Sequence, residues 1–381
     1  MFENWTNTPL SKLLIQKSES VEVKPETDYK QVTVKVKHRG VTMRQIIKGI
    51  DIGSSQYLAN KGDFIISKID ARNGSMGLIP EELDNSIVTG DFPLFQFTER
   101  LNPIFFNYYT SLPVFDAACQ QASAGSTNRR RLKMEVFKKI EIPLPPIEEQ
   151  NRIVKKLELV KNNSDEIRKT RNQQAKDIAN LLYSKYLEII ADAPWEKMET
   201  IAPITRRPVD IELNQEYKEL GIRSFGKGTF IKPNFHGRDL TWQKPYWLKK
   251  DDLVISNIKA WEGAIAVVSE EEDGYVGSHR YITCVPDPKR LTSQFLLYSL
   301  LSPKGMEDIG HASPGSADRN RTTAVKRLNK IEVPVPSIAQ QKEFAKLQNQ
   351  LMALKLEHQK TVEDLDHLFP ALLDKAFKGE L

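Results

Sequence analysis

The sequence predicts an α/β (α+β) protein of two tandem modules, each ending in a long helix, with the two helices antiparallel in a pseudo-two-fold arrangement. Three observations predict it. A junction occurs twice: IEIPLPPIEEQNRIVKKLE, Ile140 to Glu158, returns 191 positions later as IEVPVPSIAQQKEFAKLQN, Ile331 to Asn349. In each copy a β-type run ends in spaced prolines, and an apolar residue followed by Gln opens a helical pattern. The residues before each junction are rich in β-type alternation. The first helical pattern then runs for about 40 residues, a rod of roughly 60 Å at ~1.5 Å per residue, longer than one small domain needs.

The first module spans 1–146. Trp5, Leu10, Leu13 and Leu14 predict a short opening segment packed on it. Lys30 to Val41 alternates through Val32, Val34 and Val36, the period of a half-buried strand. Gly62 to Pro80 reads as a buried strand, a polar turn and a second strand, and Ser86 to Phe97 as a β run broken at Thr89-Gly90-Asp91. Ile104 to Cys119 reads as one helix with an aromatic face through Phe105, Tyr108, Tyr109, Leu112 and Phe115. Ala122 to Ile140 is a small-residue loop leading into a basic segment.

The central helical segment, 147–193, has apolar or small residues at Leu157, Val160, Ser164, Ile167, Ile178 and Leu181, a seam interrupted by Arg171 and Gln174. The second module, 194–337, opens at Trp195, 190 positions after Trp5. Its Val254-Ile255-Ser256 answers Ile65-Ile66-Ser67, Gly263 answers Gly74, and PGSADRNRTTAVKRL (Pro314 to Leu328) answers AGSTNRRRL (Ala124 to Leu132). The last segment, 338–381, carries a heptad through Phe344, Leu347, Leu351, Leu354, His358, Thr361, Leu365 and Leu368, and Pro370 is expected to kink or break it. Connectivity then favours one geometry over the alternative in which each helix folds onto its own module. The first helix must carry the chain from one module to the other, and the second returns along it as a coiled-coil spacer.

Bulk properties set the class. With 40% hydrophobic and 28% charged residues the composition is that of a soluble globular protein. No apolar run reaches the roughly 18–20 residues of a membrane span, and MFENWTNTPL has neither the basic start nor the apolar core of a signal peptide. Cys119 and Cys284, one per module, read as buried thiols in a reducing compartment. A cytoplasmic protein is expected. The net charge of +5 sits in the modules: residues 1–146 hold 19 Lys/Arg against 16 Asp/Glu and 193–337 hold 21 against 19, while the helical segments are near neutral. That balance permits nucleic-acid binding; only local clusters can argue for it.

Catalytic motifs are missing. There is no GxxxxGK[ST] phosphate loop and no HExxH or paired-cysteine metal pattern, and no Asn/Asp-Pro-Pro-aromatic motif of the kind amino-methyltransferases carry. Polar loops at matching places remain. Gly125, Ser126, Thr127, Asn128, Arg129, Arg130 and Arg131 form one, and Gly315, Ser316, Arg319, Asn320, Arg321 and Thr322 its counterpart. Glycine lets backbone N–H groups approach a phosphate, and arginine grips phosphate or presents a fork to guanine O6/N7. The turns between the paired strands supply Lys68, Arg72 and Asn73 in the first module and Lys259 in the second; Trp261 beside it reads as packed core. Arg223 and Lys227 in LGIRSFGKGTF, and Arg280 in VGSHRYI, complete the candidate DNA contacts.

The doubled junction, IPLPPIEEQ (Ile142 to Gln150) and VPVPSIAQQ (Val333 to Gln341), resembles those of Type I restriction–modification specificity subunits. LGIRSFGKGTF, KAWEGAIAV and PALLDKAFKGEL look like that family's target-recognition and C-terminal segments. Ser337 replaces one proline of the usual Pro-Pro pair, and Ala339-Gln340 stands where Glu-Glu is common. The resemblance implies two target-recognition domains on a spacer that sets half-site separation. The ligand would be double-stranded DNA with a bipartite target, and the chain itself would be non-catalytic. Two modification subunits would bring S-adenosylmethionine, and restriction subunits ATP and Mg; no cofactor or membrane is expected for this chain. The rival reading is a coiled-coil scaffold without sequence-specific DNA binding.

Overall fold

The computed structural model describes residues 5–125, 130–240, 244–315 and 321–381. The chain divides into two compact units, Met1–Thr170 with Lys360–Leu381, and Arg171–Gln359. Each unit therefore holds one module together with part of both long helices, Ile147–Ile190 and Ile338–Phe377. Strands and helices are mixed in both units, as the sequence predicts.

In the first unit a five-stranded sheet runs Ser20–Val21, Gln56–Ala59, Ser86–Val88, Asp28–Val34, Val41–Lys48. Its neighbours are antiparallel except Ser86–Val88 against Asp28–Val34. A four-stranded sheet runs Leu14–Lys17, Leu94–Phe97, Phe64–Ile66, Met76–Leu78, and its Ile65 packs with Val32, Val34 and Val88 of the first sheet. The core is aromatic: Phe64, Phe95, Phe105, Phe106, Phe115 and Phe137 are all buried, several edge to face. Two expectations are corrected here. The alternation from Lys30 to Val41 is not one strand; the strand ends at Val34, the chain turns at 35–40, and a second strand starts at Val41. Period alone could not see a turn whose residues continue the alternation through Val36. The aromatic helix is likewise two, Pro103–Thr110 and Pro113–Gln121, because Pro113 lacks the N–H to continue a helix and starts a new one.

The second unit repeats the plan with a smaller central sheet of Ile265–Val267, Leu253–Ser256 and Tyr281–Cys284. Its helices Ser293–Leu301 and Pro303–Ala312 again break at a proline. The duplication reaches buried charge. Asp63 binds the Lys17 ammonium at 3.2 Å and accepts the Asn60 N–H at 2.9 Å. Asp252 binds both arms of Arg207 at 2.6 and 3.1 Å and accepts the Lys249 N–H at 2.8 Å.

The helices are tied to each module within its own unit. In the first, Arg152 reaches the Leu381 carbonyl at 2.8 Å and Arg168 reaches Asp366 at 2.8 Å, so the two helical segments run antiparallel there. Phe377 packs on Phe105 and Tyr109, and Phe369 on Tyr108. In the second, Tyr186 meets Phe295, Tyr298 and Phe344. The predicted seam holds at Leu157, Ser164, Ile178, Phe344 and His358, all buried. It fails at Ile167, Leu181, Leu354 and Leu368, which are exposed; Leu182, Tyr186 and Ile189 are the residues that face the second core. Helical phase drifts against a strict 3.5 repeat, and the aromatic pocket of the module decides which side is covered. Pro370 lies inside an uninterrupted helix. Among the described residues no helix is long and apolar enough to cross a membrane.

The repeated glutamine explains the junction. Gln150 is fully buried; its Oε1 accepts the Asn102 N–H at 2.8 Å and its Nε2 donates to the carbonyls of Arg100 and Pro145, both at 2.9 Å. Gln341, equally buried, accepts the Thr292 N–H and donates to Arg290 and Pro336, all at 2.8 Å. One side chain thus satisfies a helix start, a strand end and the loop before an aromatic helix. Gln150→Leu or Gln341→Leu strands three buried backbone groups at ~1–3 kcal/mol each, and we expect urea unfolding to show a loss of roughly 3 kcal/mol or more. A loss below about 1 kcal/mol in both variants would contradict that role. Burial pushes the Cys119 and Cys284 thiols up to about 12. Both are fully buried, so neither should react with a thiol reagent at pH 8 until urea unfolds its unit.

Candidate nucleic-acid interface

Each module folds four loops into one cluster, held by backbone hydrogen bonds that recur almost residue for residue. The first loop is the turn between paired strands, closed by a short 3-10 segment, Ala71–Asn73 or Ala260–Glu262. It ends on Gly74 at φ +69° or Gly263 at φ +76°, a left-handed conformation that favours glycine. Matching bonds close it: Ser75 N–H to Asp70 O and Ala264 N–H to Lys259 O, both 3.1 Å, and Ser67 N–H to Ser75 O and Ser256 N–H to Ala264 O, both 2.9 Å.

The second loop, Thr89-Gly90-Asp91 or Ser278-His279-Arg280, is bound where the turn begins. Lys68 N–H donates to Asp91 O at 2.9 Å, and Asn257 N–H to Arg280 O at 2.8 Å. The basic loop joins at the same residue: Leu132 N–H donates to Lys68 O and Thr323 N–H to Asn257 O, each at 2.8 Å. Its neck is closed by Lys133 N–H to Ala122 O and Ala324 N–H to Ala312 O. Gly125 and Gly315 enter it at φ +140° and +149°, a backbone region nearly closed to other residues.

The fourth loop is the hairpin tip. Lys37 and His38 donate their N–H groups to Asn73 O and Gly74 O at 2.7 and 2.9 Å; Phe225 and Gly226 donate theirs to Glu262 O and Gly263 O at 2.7 and 2.9 Å. In the second module this tip carries the predicted Arg223 and Lys227. In the first it carries Lys35, Lys37 and Arg39, which the alternation from Lys30 to Val41 predicts to lie in a strand. The signal was present as a glycine, Gly40, at the end of a basic run, but the β alternation outweighed it.

Side chains distinguish the two clusters. In the first, Lys68 Nζ donates to Gly90 O at 2.7 Å, Arg131 pairs with Asp91, and Asn73 donates to Asp70 Oδ1 at 3.0 Å. Arg72 is half-buried, and Arg130 is exposed with no ion pair among the described residues. In the second, Trp261 is not packed core: it is half-buried, with the Arg321 guanidinium 4.6 Å and the Lys259 ammonium 5.2 Å from its ring centre. Arg321 also donates to Ser313 O at 3.3 Å, which fixes the guanidinium plane beside the turn. Lys259 pairs with Glu262 at 2.5 Å, and this hydrogen bond holds the Glu262 carboxyl below its usual range. Arg223 lies 4.9 Å over Phe230, Lys227 lies 5.8 Å over Phe225, and Arg280 and Thr322 are exposed. Ser126, Thr127, Asn128, Arg129, Ser316, Arg319 and Asn320 lie outside the described residues.

These loops hold cationic and polar side chains on a shared backbone frame, and comparisons with known proteins show what the chain resembles. Residues 8–177 match the family model described as Type I restriction modification DNA specificity domain. That stretch belongs to the family. The chain is 28% identical over 142 residues to the Type I restriction enzyme EcoBI specificity subunit of Escherichia coli; the match covers 37% of this chain and 30% of that protein, less than a third of its length. The whole chain has the fold of two solved structures. One is the HsdS subunit from Thermoanaerobacter tengcongensis, at TM-score 0.66, 20% identity and 100% and 98% coverage. The other comes from a study of complex assembly and conformational transition in the Type I restriction–modification system, at TM-score 0.72, 21% identity and 100% and 99% coverage. The first junction, Ile142 to Gln150, lies inside the stretch that matches the family.

The cluster makes one side-chain prediction of its own. Replacing Gly125 or Gly315 by Ala forces a Cβ into a disallowed backbone region and should reshape the basic loop. Amide exchange at the neck residues Leu132 or Thr323 should accelerate in the variant; unchanged protection would mean the glycine is not required there.

Proposed function

We propose that this chain is the DNA specificity subunit of a Type I restriction–modification complex, each module reading one half of a bipartite duplex target. The observation that carries the reading is the duplicated loop cluster: the same backbone lacing in both modules, holding different cationic and polar side chains outward. A shared frame with unlike side chains is what two half-sites of different sequence require. Base edges are told apart by hydrogen-bonding groups set at fixed positions in the major groove. Lys68, Arg72, Asn73, Arg130 and Arg131 serve one half-site; Arg223, Lys227, Lys259, Arg280, Arg321 and Thr322 serve the other. Ser126, Thr127, Asn128, Arg129, Ser316, Arg319 and Asn320 stay candidate DNA contacts on the sequence alone.

The chain reads and does not catalyse. Two modification subunits dock on it and bring S-adenosylmethionine and the adenine-N6 methyltransferase site; restriction subunits bring the ATP-driven motor and nuclease. It works in the cytoplasm, where that DNA is. Four segments divide the labour: 1–146 and 194–337 read, while 147–193 and 338–381 set the separation of the half-sites, as dimer geometry does for repressors.

Arg130 and Arg321 discriminate between contacts and frame. Arg130→Ala or Arg321→Ala should relax sequence choice in one half-site only, at roughly 1–3 kcal/mol. Methylome sequencing decides it, and degeneracy spread over both half-sites would sink the assignment. Adding four residues to the central helix, one turn or ~6 Å, should change the number of unspecified bases between the half-sites. An unchanged spacer would remove the helices from the role of ruler. Binding that ignores salt between 50 and 200 mM would favour a scaffold over a DNA reader.

A further inference from the structure

We propose that the hairpin tips, 35–40 in the first module and 223–228 in the second, are base-reading elements, and that Phe225 makes an apolar contact to a base edge. This rests on the DNA reading above. Three observations carry it.

The tips are built alike, each a two-residue hairpin turn with both central residues left-handed. Lys37, His38 and Phe225 have φ of +59°, +52° and +62°, left-handed values that side chains with a Cβ rarely adopt. Of the four central turn positions, 37, 38, 225 and 226, only Gly226 is a glycine; Gly40 and Gly228 close the tips at φ +77° and +74°. Backbone strain of this kind persists where the surroundings impose it. Here two N–H bonds from each tip to the turn carbonyls impose it, and in the first module His38 adds a pair of 3.1 Å contacts to the Asp116 carboxylate. The tip is thereby rigidly joined to the turn that holds Asn73 or Glu262, in the middle of the loop cluster.

What the tips display is unusual for a hairpin. Phe225 is 74% exposed, although phenylalanine is ordinarily among the more buried residue types. Its ring is held outward by the anchored backbone with the Lys227 ammonium beside it. Lys35, Lys37 and Arg39 are exposed and form no ion pair with a carboxylate among the described residues. A fixed aromatic face next to a cation suits a base edge, with apolar contact to a thymine methyl and the cation on the neighbouring phosphate. The first tip offers Lys35, Lys37 and Arg39 with the smaller, 41% exposed Val36 in place of an aromatic ring, so the two tips would favour different bases.

The test selects duplexes from a randomised DNA library with the full chain in its complex with modification subunits. Phe225→Asn is the informative variant, since Asn tolerates a left-handed φ and should fold at least as well as the parent. The expected result is an unchanged or raised melting temperature and a relaxed consensus at one or two positions of a single half-site. Affinity for the parental target should fall about 10- to 100-fold, the cost of about one good base contact. Lys37→Ala with Arg39→Ala should relax the other half-site only. A consensus unchanged in both variants, while Arg130→Ala or Arg321→Ala still relaxes it, overturns the proposal and leaves the DNA reading intact. Uniformly weaker binding with a shallower salt slope and the same consensus also overturns it, since the tips would then touch phosphates alone. Failure of the parent complex to select any consensus overturns the DNA reading and this proposal together.

Discussion

The arrangement depends on one buried amide per module. Gln150 and Gln341 each sit in the first turn of a long helix and each satisfy three backbone groups drawn from outside it. An amide suits this place because it carries an acceptor and two donors on one planar group, and a buried backbone N–H or C=O left alone is expensive. The prolines before it end the strand without offering an N–H that would need a partner, so the carbonyls of Pro145 and Pro336 are free to accept from the glutamine. The direction in which the helix leaves the module is set by these bonds, not by the hydrophobic seam further along.

Beyond the junction, the frame of each loop cluster and the surface it presents are made of different material. The frame of each loop cluster is backbone hydrogen bonding: Lys68 or Asn257 binds two other loops through its own N–H and C=O, and the turn carbonyls at 73–74 or 262–263 bind a third. Such a frame tolerates almost any side chain. That explains how interiors so unlike in sequence keep the same path. It also explains why an Arg–Asp ion pair occupies one cluster and an Arg–Trp–Lys stack the other without disturbing either. Rigid main chain with interchangeable side chains is the physical form of a module whose surface can change while its fold does not.

Much of the fold was legible in the residues. The strand–turn–strand units, the broken β run at Thr89-Gly90-Asp91, the bounds of the central helix and the correspondence of the basic loops all followed from period, glycine and proline placement. The reading erred where two signals overlapped. At Lys35 to Gly40 a turn continues the alternation of its strand; at Pro113 a helix restarts on a face that stays aromatic; and along the helices a 3.5 repeat was extended past the point where the module takes over the seam.

The sequence by itself determined that there are two modules, that each ends in a strand–proline–helix junction, and that both carry a basic loop. These are local or repeated features, and chain connectivity and side-chain period suffice to write them. Only the tertiary structure decided which loops meet. Residues 35–40, 68–74, 89–91 and 131–133 are far apart in sequence and are joined by main-chain N–H···O bonds, which every residue type but proline can make and which leave no mark on composition or spacing. For the same reason the exposed, left-handed Phe225 could not be singled out from its neighbours until the tip that holds it was seen against its turn.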